Sequence, residues 1–123
     1  MNMTDWPFFD GPHRAFASQL DVWAAANVRD VHGDHDVDAA CRQLVKQLGD
    51  AGWLKHAVAG RGYGGAGETI DTRTICLARE TLARHNGLAD FAFAMQGLGS
   101  GAISLDGTPQ QKERYLPRVA RGR

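Results

Sequence analysis

The chain has 123 residues, of which 43% are hydrophobic and 23% are charged, and these proportions exclude a largely disordered protein. The formal net charge is zero and no basic run is present, so we predict that the chain does not bind nucleic acid. No stretch approaches the roughly 18 consecutive apolar residues of a membrane span, and residues 1–6 do not have a secretory signal pattern, so we expect a cytoplasmic location.

The first helix is predicted to begin at Asp10, because an aspartate followed by Gly11 and Pro12 is typical of an N-cap with proline in the first turn. The polar stretch from Asn27 to Asp38 predicts a loop after this helix. The apolar residues between these points recur at helical spacing and are expected to share one face: Phe16, Leu20, Trp23 and Ala24.

The second helix is predicted to start near Asp36 or Asp38 and to end before Gly52, a residue type that suits the left-handed position after a helix. Its inward stripe is expected to consist of Ala40, Cys41, Leu44, Val45 and Leu48. A glycine-rich stretch from Trp53 to Gly67 follows. The third helix is predicted from about Thr69 to Asn86, with a buried stripe of Ile70, Thr74, Leu77, Ala78 and Leu82.

The fourth segment, from Leu88 to Leu105, is apolar on nearly all sides, which predicts a buried helix. Its glycines at 97, 99 and 101 lower helix stability, so they favour the close approach of another backbone or of a ligand.

The fifth helix is predicted to begin with a capping box, in which Thr108 is the N-cap, Pro109 is the first helical residue and Gln111 occupies N3. Tyr115, Leu116 and Val119 are expected to face inward. No segment shows strand alternation. The fold class is therefore predicted to be all-α, with about five helices in an orthogonal or bundle arrangement and residues 1–123 in one domain.

Two motifs could in principle bind a cofactor or a metal. Gly60–Gly65 (GRGYGG) matches GxGxxG, but it lacks the flanking strands of a dinucleotide-binding unit, so we interpret it as a plain loop. The loop between the first two helices is dense in metal-capable side chains, but their spacing fits no known site, so we expect a solvated loop with helix-capping aspartates and no metal. These side chains are Asp30, His32, Asp34, His35, Asp36 and Asp38.

The cysteines and the remaining histidines do not predict a nucleophilic site. Cys41 and Cys76 lie far apart without CxxC partners, and both are expected to be reduced, buried thiols. His13, His56 and His85 are interpreted as surface or capping residues. The apolar face from Phe91 to Leu98 is most simply core, and its alternative is an apolar wall for a ligand.

Four sequence landmarks occur in a characteristic order. The second helix ends in Leu48–Trp53 (LGDAGW), the next loop closes with Tyr63–Gly67 (YGGAG), and the third helix contains Leu77–Glu80 (LARE). The fifth helix begins within Gly107–Pro117 (GTPQQKERYLP), the most specific of the four. Together they resemble the N-terminal helical domain of acyl-CoA dehydrogenases, and the resemblance covers residues from about 9 to 122.

The resemblance implies an FAD-dependent oxidoreductase that removes hydrogens from Cα and Cβ of an acyl-CoA thioester. Family members continue into a β-domain and a second helical bundle, both outside this chain, and pass electrons to electron-transfer flavoprotein or another acceptor. The complete enzyme is expected to be a dimer or tetramer. The implied catalytic glutamate and the main FAD-binding segments lie beyond Arg123, so the resemblance places no catalytic residue and no FAD ligand in this chain, which is expected to be inactive alone.

By position, the resemblance implies that the fourth helix supplies one wall of the acyl pocket through Phe91, Ala94, Met95 and Leu98. The bulky side chains of Phe91 and Met95 are expected to favour short, branched or aromatic acyl groups. The chain departs from the family pattern at residues 59–62, where it has AGRG instead of proline and acidic residues, and this leaves substrate preference open.

Two other functions are compatible with the sequence. A stand-alone helical interaction module would use the fourth helix as core or as a partner surface. The non-catalytic half of a split dehydrogenase would dock on a separately encoded flavin-binding half. Exposed apolar surface and self-association are expected of a piece of a larger enzyme, whereas a clean monomer with cooperative unfolding favours the interaction module.

Overall fold

The structure is a computed structural model and describes residues 2–123. Over this range it contains no β-strand, only an isolated bridge between Ala59 and Gly67, so the prediction of an all-α fold with five helices is confirmed. The α-helices are α1 (Gly11–Asn27), α2 (Val37–Asp50), α3 (Thr72–His85), α4 (Gly87–Asp106) and α5 (Pro109–Ala120). Short 3-10 helices occupy Met3–Asp5, Trp53–Ala57 and Arg61–Tyr63.

The ends of α1 and α2 follow from local sequence. Asp10 is the N-cap of α1, and its N–H donates to His13 Nδ1 over 3.0 Å. Asp36 is the N-cap of α2, where its carboxylate accepts from the N–H of Ala39 at 2.9 Å. Gly52 follows the C-cap of α2 with φ of 87°, a conformation that favours glycine. All three boundary predictions are confirmed.

The third helix begins later than predicted. Asp71, not Thr69, is its N-cap, because the Asp71 carboxylate accepts from the N–H of Arg73 at 3.1 Å. Ile70 consequently lies before the helix and is only half-buried, whereas Leu77 and the rest of the stripe in α3 are buried.

Helix α5 begins with the predicted capping box. The N–H of Gln111 donates to Thr108 Oγ1 at 3.2 Å, and the N–H of Thr108 donates to Gln111 Oε1 at 2.9 Å. Leu116 is fully buried, but the prediction for Tyr115 is wrong, since that residue is exposed. Ala120 lies one turn beyond Leu116 on the same face and is also buried.

The core forms where the helices meet. Helix α3 packs against α1 and α4, and α4 also packs against α2 and α5. The main cluster of fully or almost fully buried side chains includes Leu20, Ala24, Leu44, Leu48, Leu54, Leu82 and Phe93. A smaller cluster of Val58, Leu116 and Ala120 lies under α5.

The end of the chain lies directly on α2. A Cβ added to Gly49 would overlap the backbone of Arg121, and one added to Gly122, whose φ is 68°, would overlap the carbonyl oxygen of Val45. Glycine at both positions therefore lets two backbones come closer than any side chain permits.

Candidate functional site

Helix α4 is fixed at its start by one side chain. The side-chain Oδ1 of Asn86 accepts from the N–H groups of Leu88 at 2.9 Å and Ala89 at 3.4 Å, which caps the helix. The side-chain Nδ2 of Asn86 donates to the backbone carbonyl oxygens of Val28 and Val31, each at 2.7 Å. The same residue also ends α3. Asn86 therefore joins the start of α4 to the segment that follows α1.

The inner face of α4 is buried against the rest of the chain. Ala92 and Phe93 are at most 4% exposed and belong to the main core. Farther along, Ser100 donates to the carbonyl oxygen of Gln96 at 2.8 Å, as a helical serine often does, and Ser104 accepts from the N–H of Ala59 at 3.3 Å. This face holds α4 in place over its whole length.

The outer face of α4 is exposed, so the prediction of a helix buried on all sides is wrong. Phe91 is 55% exposed, Met95 41% and Leu98 74%, at spacings of four and three residues. Leu105 is also exposed, two turns farther along. Neighbouring helices of this chain cover one side of α4 only, and a stripe of large apolar side chains remains in solvent.

The outer face borders an open groove of about 410 Å³ between α4 and the α3 region. All four residues assigned to a pocket wall from the sequence line it, since Phe91, Ala94, Met95 and Leu98 lie along one side. The other lining residues include Ala57, Ile70, Ile75 and Arg79. The groove is therefore apolar except at Arg79, which is typical of a site for an apolar ligand group.

No other backbone segment of the described residues lies close to the three glycines of α4. A Cβ added to Gly97 would lie 3.8 Å from Ala57 Cβ, and one added to Gly99 or Gly101 would meet nothing within 4 Å in the described residues. The predicted close approach thus has no partner within residues 2–123, and a ligand beside these glycines stays a prediction.

Arg79 joins the two sides of the groove. Its Nε donates to Asp90 Oδ1 at 2.9 Å and its Nη2 donates to Asp90 Oδ2 at 3.3 Å. These hydrogen bonds to the Asp90 carboxylate raise the pKa of Arg79, so the guanidinium is charged at every ordinary pH. The Arg79 side chain remains 51% exposed, whereas that of Asp90 is 19% exposed.

His13 and Asp71 form a short polar contact away from the groove, with Nε2 of His13 2.6 Å from Asp71 Oδ2. Because Nδ1 of His13 accepts from the N–H of Asp10, the proton is on Nε2 and points at the carboxylate. Burial raises the pKa of Asp71, but hydrogen bonds from His13, Thr74 and the N–H of Arg73 outweigh it and lower that pKa to about 2. Both nitrogens of His13 are occupied, so it is buried structure rather than a base.

The other two histidines also depart from a simple surface role. His85 contacts Asp21 through Nε2 at 2.8 Å and Arg29 through Nδ1 at 3.1 Å. The hydrogen bond from His85 lowers the pKa of Asp21. His56 is half-buried with its ring edge-on to Phe16, and burial lowers its pKa. None of these residues lines the groove beside α4.

Most amides of the glycine loop already donate hydrogen bonds within the chain and are not available to a phosphate. The N–H groups of Tyr63 and Gly65 both donate to the Gly60 carbonyl oxygen, and that of Gly64 donates to Arg61. The N–H of Gly60 donates to Gly67. The interpretation as a plain loop is confirmed, and the loop does not fit the pyrophosphate of a dinucleotide.

The metal-capable loop and the cysteines are peripheral. Asp34 and His35 are exposed, and no group of three His, Cys, Asp or Glu residues within the described range could hold a metal ion. Cys76 is exposed and Cys41 half-buried, so the prediction of two buried thiols is wrong. Both cysteines are free.

The sequence reading missed the Arg79–Asp90 pair and the double role of Asn86. The pair lies eleven residues apart on two helices, so no helical periodicity connects its members. An asparagine before an apolar run does signal an N-cap, and that signal could have identified Asn86 as the start of α4. Its bonds to Val28 and Val31 could not have been found, because they depend on tertiary packing.

Comparison with known proteins gives one clear result. A family model described as acyl-CoA dehydrogenase, N-terminal domain, matches residues 11–123. No curated protein sequence matches the chain significantly. Within residues 2–123, none of the helices is both long enough and apolar enough to span a membrane.

Proposed function

The chain belongs to the acyl-CoA dehydrogenase family, as its N-terminal domain, and we propose that helix α4 forms one wall of the acyl-binding pocket of a larger enzyme. The observation that carries this proposal is the apolar outer face of α4. Its large side chains are exposed in this chain although they border a groove, which is expected of a wall whose opposite side comes from elsewhere.

The proposed wall has two kinds of residue. Ala94 is small and leaves room beside the helix, whereas Phe91 and Met95 project bulk into the groove. Bulk in a pocket limits the length of the ligand that it accepts, because an overpacked apolar site forces side chains out of their preferred rotamers. The proposed substrates are therefore acyl-CoA thioesters with short, branched or aromatic acyl groups.

The complete enzyme is proposed to be an FAD-dependent dehydrogenase that oxidises the Cα–Cβ bond of its thioester substrate. The described residues do not fit FAD, since most amides of the glycine loop already donate within the chain and the groove has a single charged side chain. We therefore assign FAD binding and catalysis to segments outside residues 1–123. Electron-transfer flavoprotein or another acceptor, and a dimeric or tetrameric assembly, belong to the same proposal.

The first test compares the product of the complete source gene with the chain 1–123. Intact mass and a visible absorption spectrum are measured for both. A longer, yellow gene product beside a colourless 1–123 chain is the expected result. A colourless gene product that ends at Arg123 would remove the dehydrogenase assignment, and a search for a partner, including a separate flavin-binding half, would follow.

The second test changes the wall itself. In the complete enzyme, Phe91→Ala combined with Met95→Ala should raise kcat/KM for long relative to short acyl chains by about tenfold. The reason is that one additional methylene bound in an apolar pocket changes kcat/KM by about this factor. The matched control is Leu105→Ala, which removes an exposed apolar side chain of α4 outside the groove. An acyl-length profile that is the same in all three proteins would remove Phe91 and Met95 from the pocket.

A further inference from the structure

The groove beside α4 contains one charged residue among its apolar lining, and that residue is oriented by a partner. Arg79 comes from α3, and its guanidinium donates two hydrogen bonds to the carboxylate of Asp90 in the first turn of α4. An arginine that served only as a solvated surface charge would need no such fork. The position of Arg79 is thus set by the two helices that form the groove.

The bonds to Asp90 leave part of the guanidinium free. An arginine side chain has five N–H donors, and those on Nε and Nη2 reach Asp90. Nη1 makes no hydrogen bond to residues 2–123, and the side chain is half exposed where it lines the groove. A ligand in the groove can therefore accept a hydrogen bond from Arg79 without displacing Asp90.

The net charge of the Arg79–Asp90 pair determines which kind of ligand atom it can bind favourably. The carboxylate of Asp90 neutralises the guanidinium, so the pair as a whole attracts an anion only weakly. A second carboxylate on Arg79 would also lie close to Asp90 and be repelled by it. A neutral oxygen gains the hydrogen bond without this repulsion.

We propose that the Arg79–Asp90 pair recognises a neutral hydrogen-bond acceptor, a hydroxyl or carbonyl oxygen, on the acyl group that occupies the groove. This inference rests on the proposed function, since it takes the groove beside α4 to be the acyl site. Arg79 is then a specificity-determining residue, and the substrates are acyl groups that are apolar apart from one oxygen substituent.

The test uses the chain 1–123 and three thioesters of N-acetylcysteamine, with hexanoyl, ω-hydroxyhexanoyl and adipoyl groups. Binding is followed by NMR titration of the backbone amides and of the arginine Nε–H signals. The hydroxyl ester is expected to bind about threefold to tenfold more tightly than the hexanoyl ester, the range of one hydrogen bond. It should shift the Arg79 Nε–H signal, and the adipoyl ester should have no advantage.

Variants separate recognition from a purely structural clamp between α3 and α4. Arg79→Met should abolish the preference for the hydroxyl ester while leaving the hexanoyl affinity within about twofold. Arg79→Lys keeps a charged donor and should keep part of the preference for the hydroxyl ester. This variant still tests the role of Arg79 if the Met variant does not fold. Asp90→Asn removes the neutralising charge and should improve adipoyl binding by about threefold.

The matched control is Arg84→Met, which removes another arginine of α3 that pairs with Asp21 and Glu80 and does not line the groove. It should change none of the three affinities. Equal binding of the hexanoyl and hydroxyl esters to the unchanged chain, or tightest binding of the adipoyl ester, would overturn the inference and leave the proposed function intact. If no ester shifts the amides of residues 91–98, the groove of this chain does not bind an acyl group and the inference about Arg79 is overturned. The proposed function, in which the opposite wall lies outside this chain, is judged separately by the acyl-length profile of the complete enzyme.

Discussion

Phe93 and Phe91 are two residues apart on α4, yet Phe93 is 1% exposed and Phe91 is 55% exposed. Both lie in one continuous apolar helix, and their side chains point to different faces of it. The inner face is covered by α2, α3 and α5. Both phenylalanines line the groove, Phe93 as a buried side chain and Phe91 as an exposed one on the outer face. The difference teaches that apolar character predicts that a helix face will be covered, but does not predict by what.

The largest effect on stability is expected at Phe93, on the buried face of α4. Phe93→Ala should lower the free energy of unfolding by about 3–5 kcal/mol, because it leaves a cavity in the main core. Urea unfolding followed by circular dichroism measures the change. A loss below about 1 kcal/mol would mean that the inner face is loosely packed, and the contrast between the faces would disappear.

The matched control is the same substitution at Phe91. Since that side chain is more than half exposed, Phe91→Ala should cost less than about 1 kcal/mol in the same measurement. Equal losses at the two positions would show that Phe91 is part of the core of this chain rather than of a wall.

The attachment of the inner face is tested at Asn86. Asn86→Ala removes the cap of α4 and leaves the carbonyl oxygens of Val28 and Val31 without their donor, so about 2 kcal/mol of stability should be lost. Thr108→Ala is the control, because it removes a cap that bonds only within its own helix start, and it should cost about 1 kcal/mol. Equal losses would show that the bonds to Val28 and Val31 do not contribute.

The smallest effect is expected at Asp71, the N-cap of α3, which does not line the groove. The pKa of Asp71 is lowered from 3.8 to about 2 in the folded chain, so its contribution to stability is complete above about pH 4 and is lost as the pH falls toward 2. Its side chain is nearly half exposed, which reduces the size of this effect. Asp71→Asn should flatten the dependence of urea unfolding on pH between these values, and an unchanged slope would contradict the assignment.

The helix ends were predictable from sequence because their determinants are local. Thr108 and Gln111 satisfy each other across one turn, and Gly52 takes a backbone conformation that its own residue type favours. The error at α3 is also local, since the helix begins at the cap that the Asp71 carboxylate forms with the N–H of Arg73.

The exposure of α4 was not predictable from its apolar pattern, because a pattern shows which faces are apolar but not which elements lie across from them. Exposed apolar surface was expected only from the family resemblance. Tyr115 illustrates the same limit, since its spacing allowed an inward position but the structure leaves it exposed. For the candidate site, the four wall residues came from family resemblance. The Arg79–Asp90 pair required the structure, which alone brings α3 and α4 together.

The four hydrogen bonds of Asn86 bear on the thermodynamics of ligand binding. They hold the first turn of α4 to the segment after α1, so the helix backbone beside the groove is already ordered before any ligand arrives. A ligand then restricts only side-chain rotamers, chiefly those of Phe91 and Met95, which cost about 0.5–1.5 kcal/mol each when immobilised. The proposed wall is thus preorganised, and we expect selectivity among its ligands to depend on side-chain fit rather than on folding of the helix.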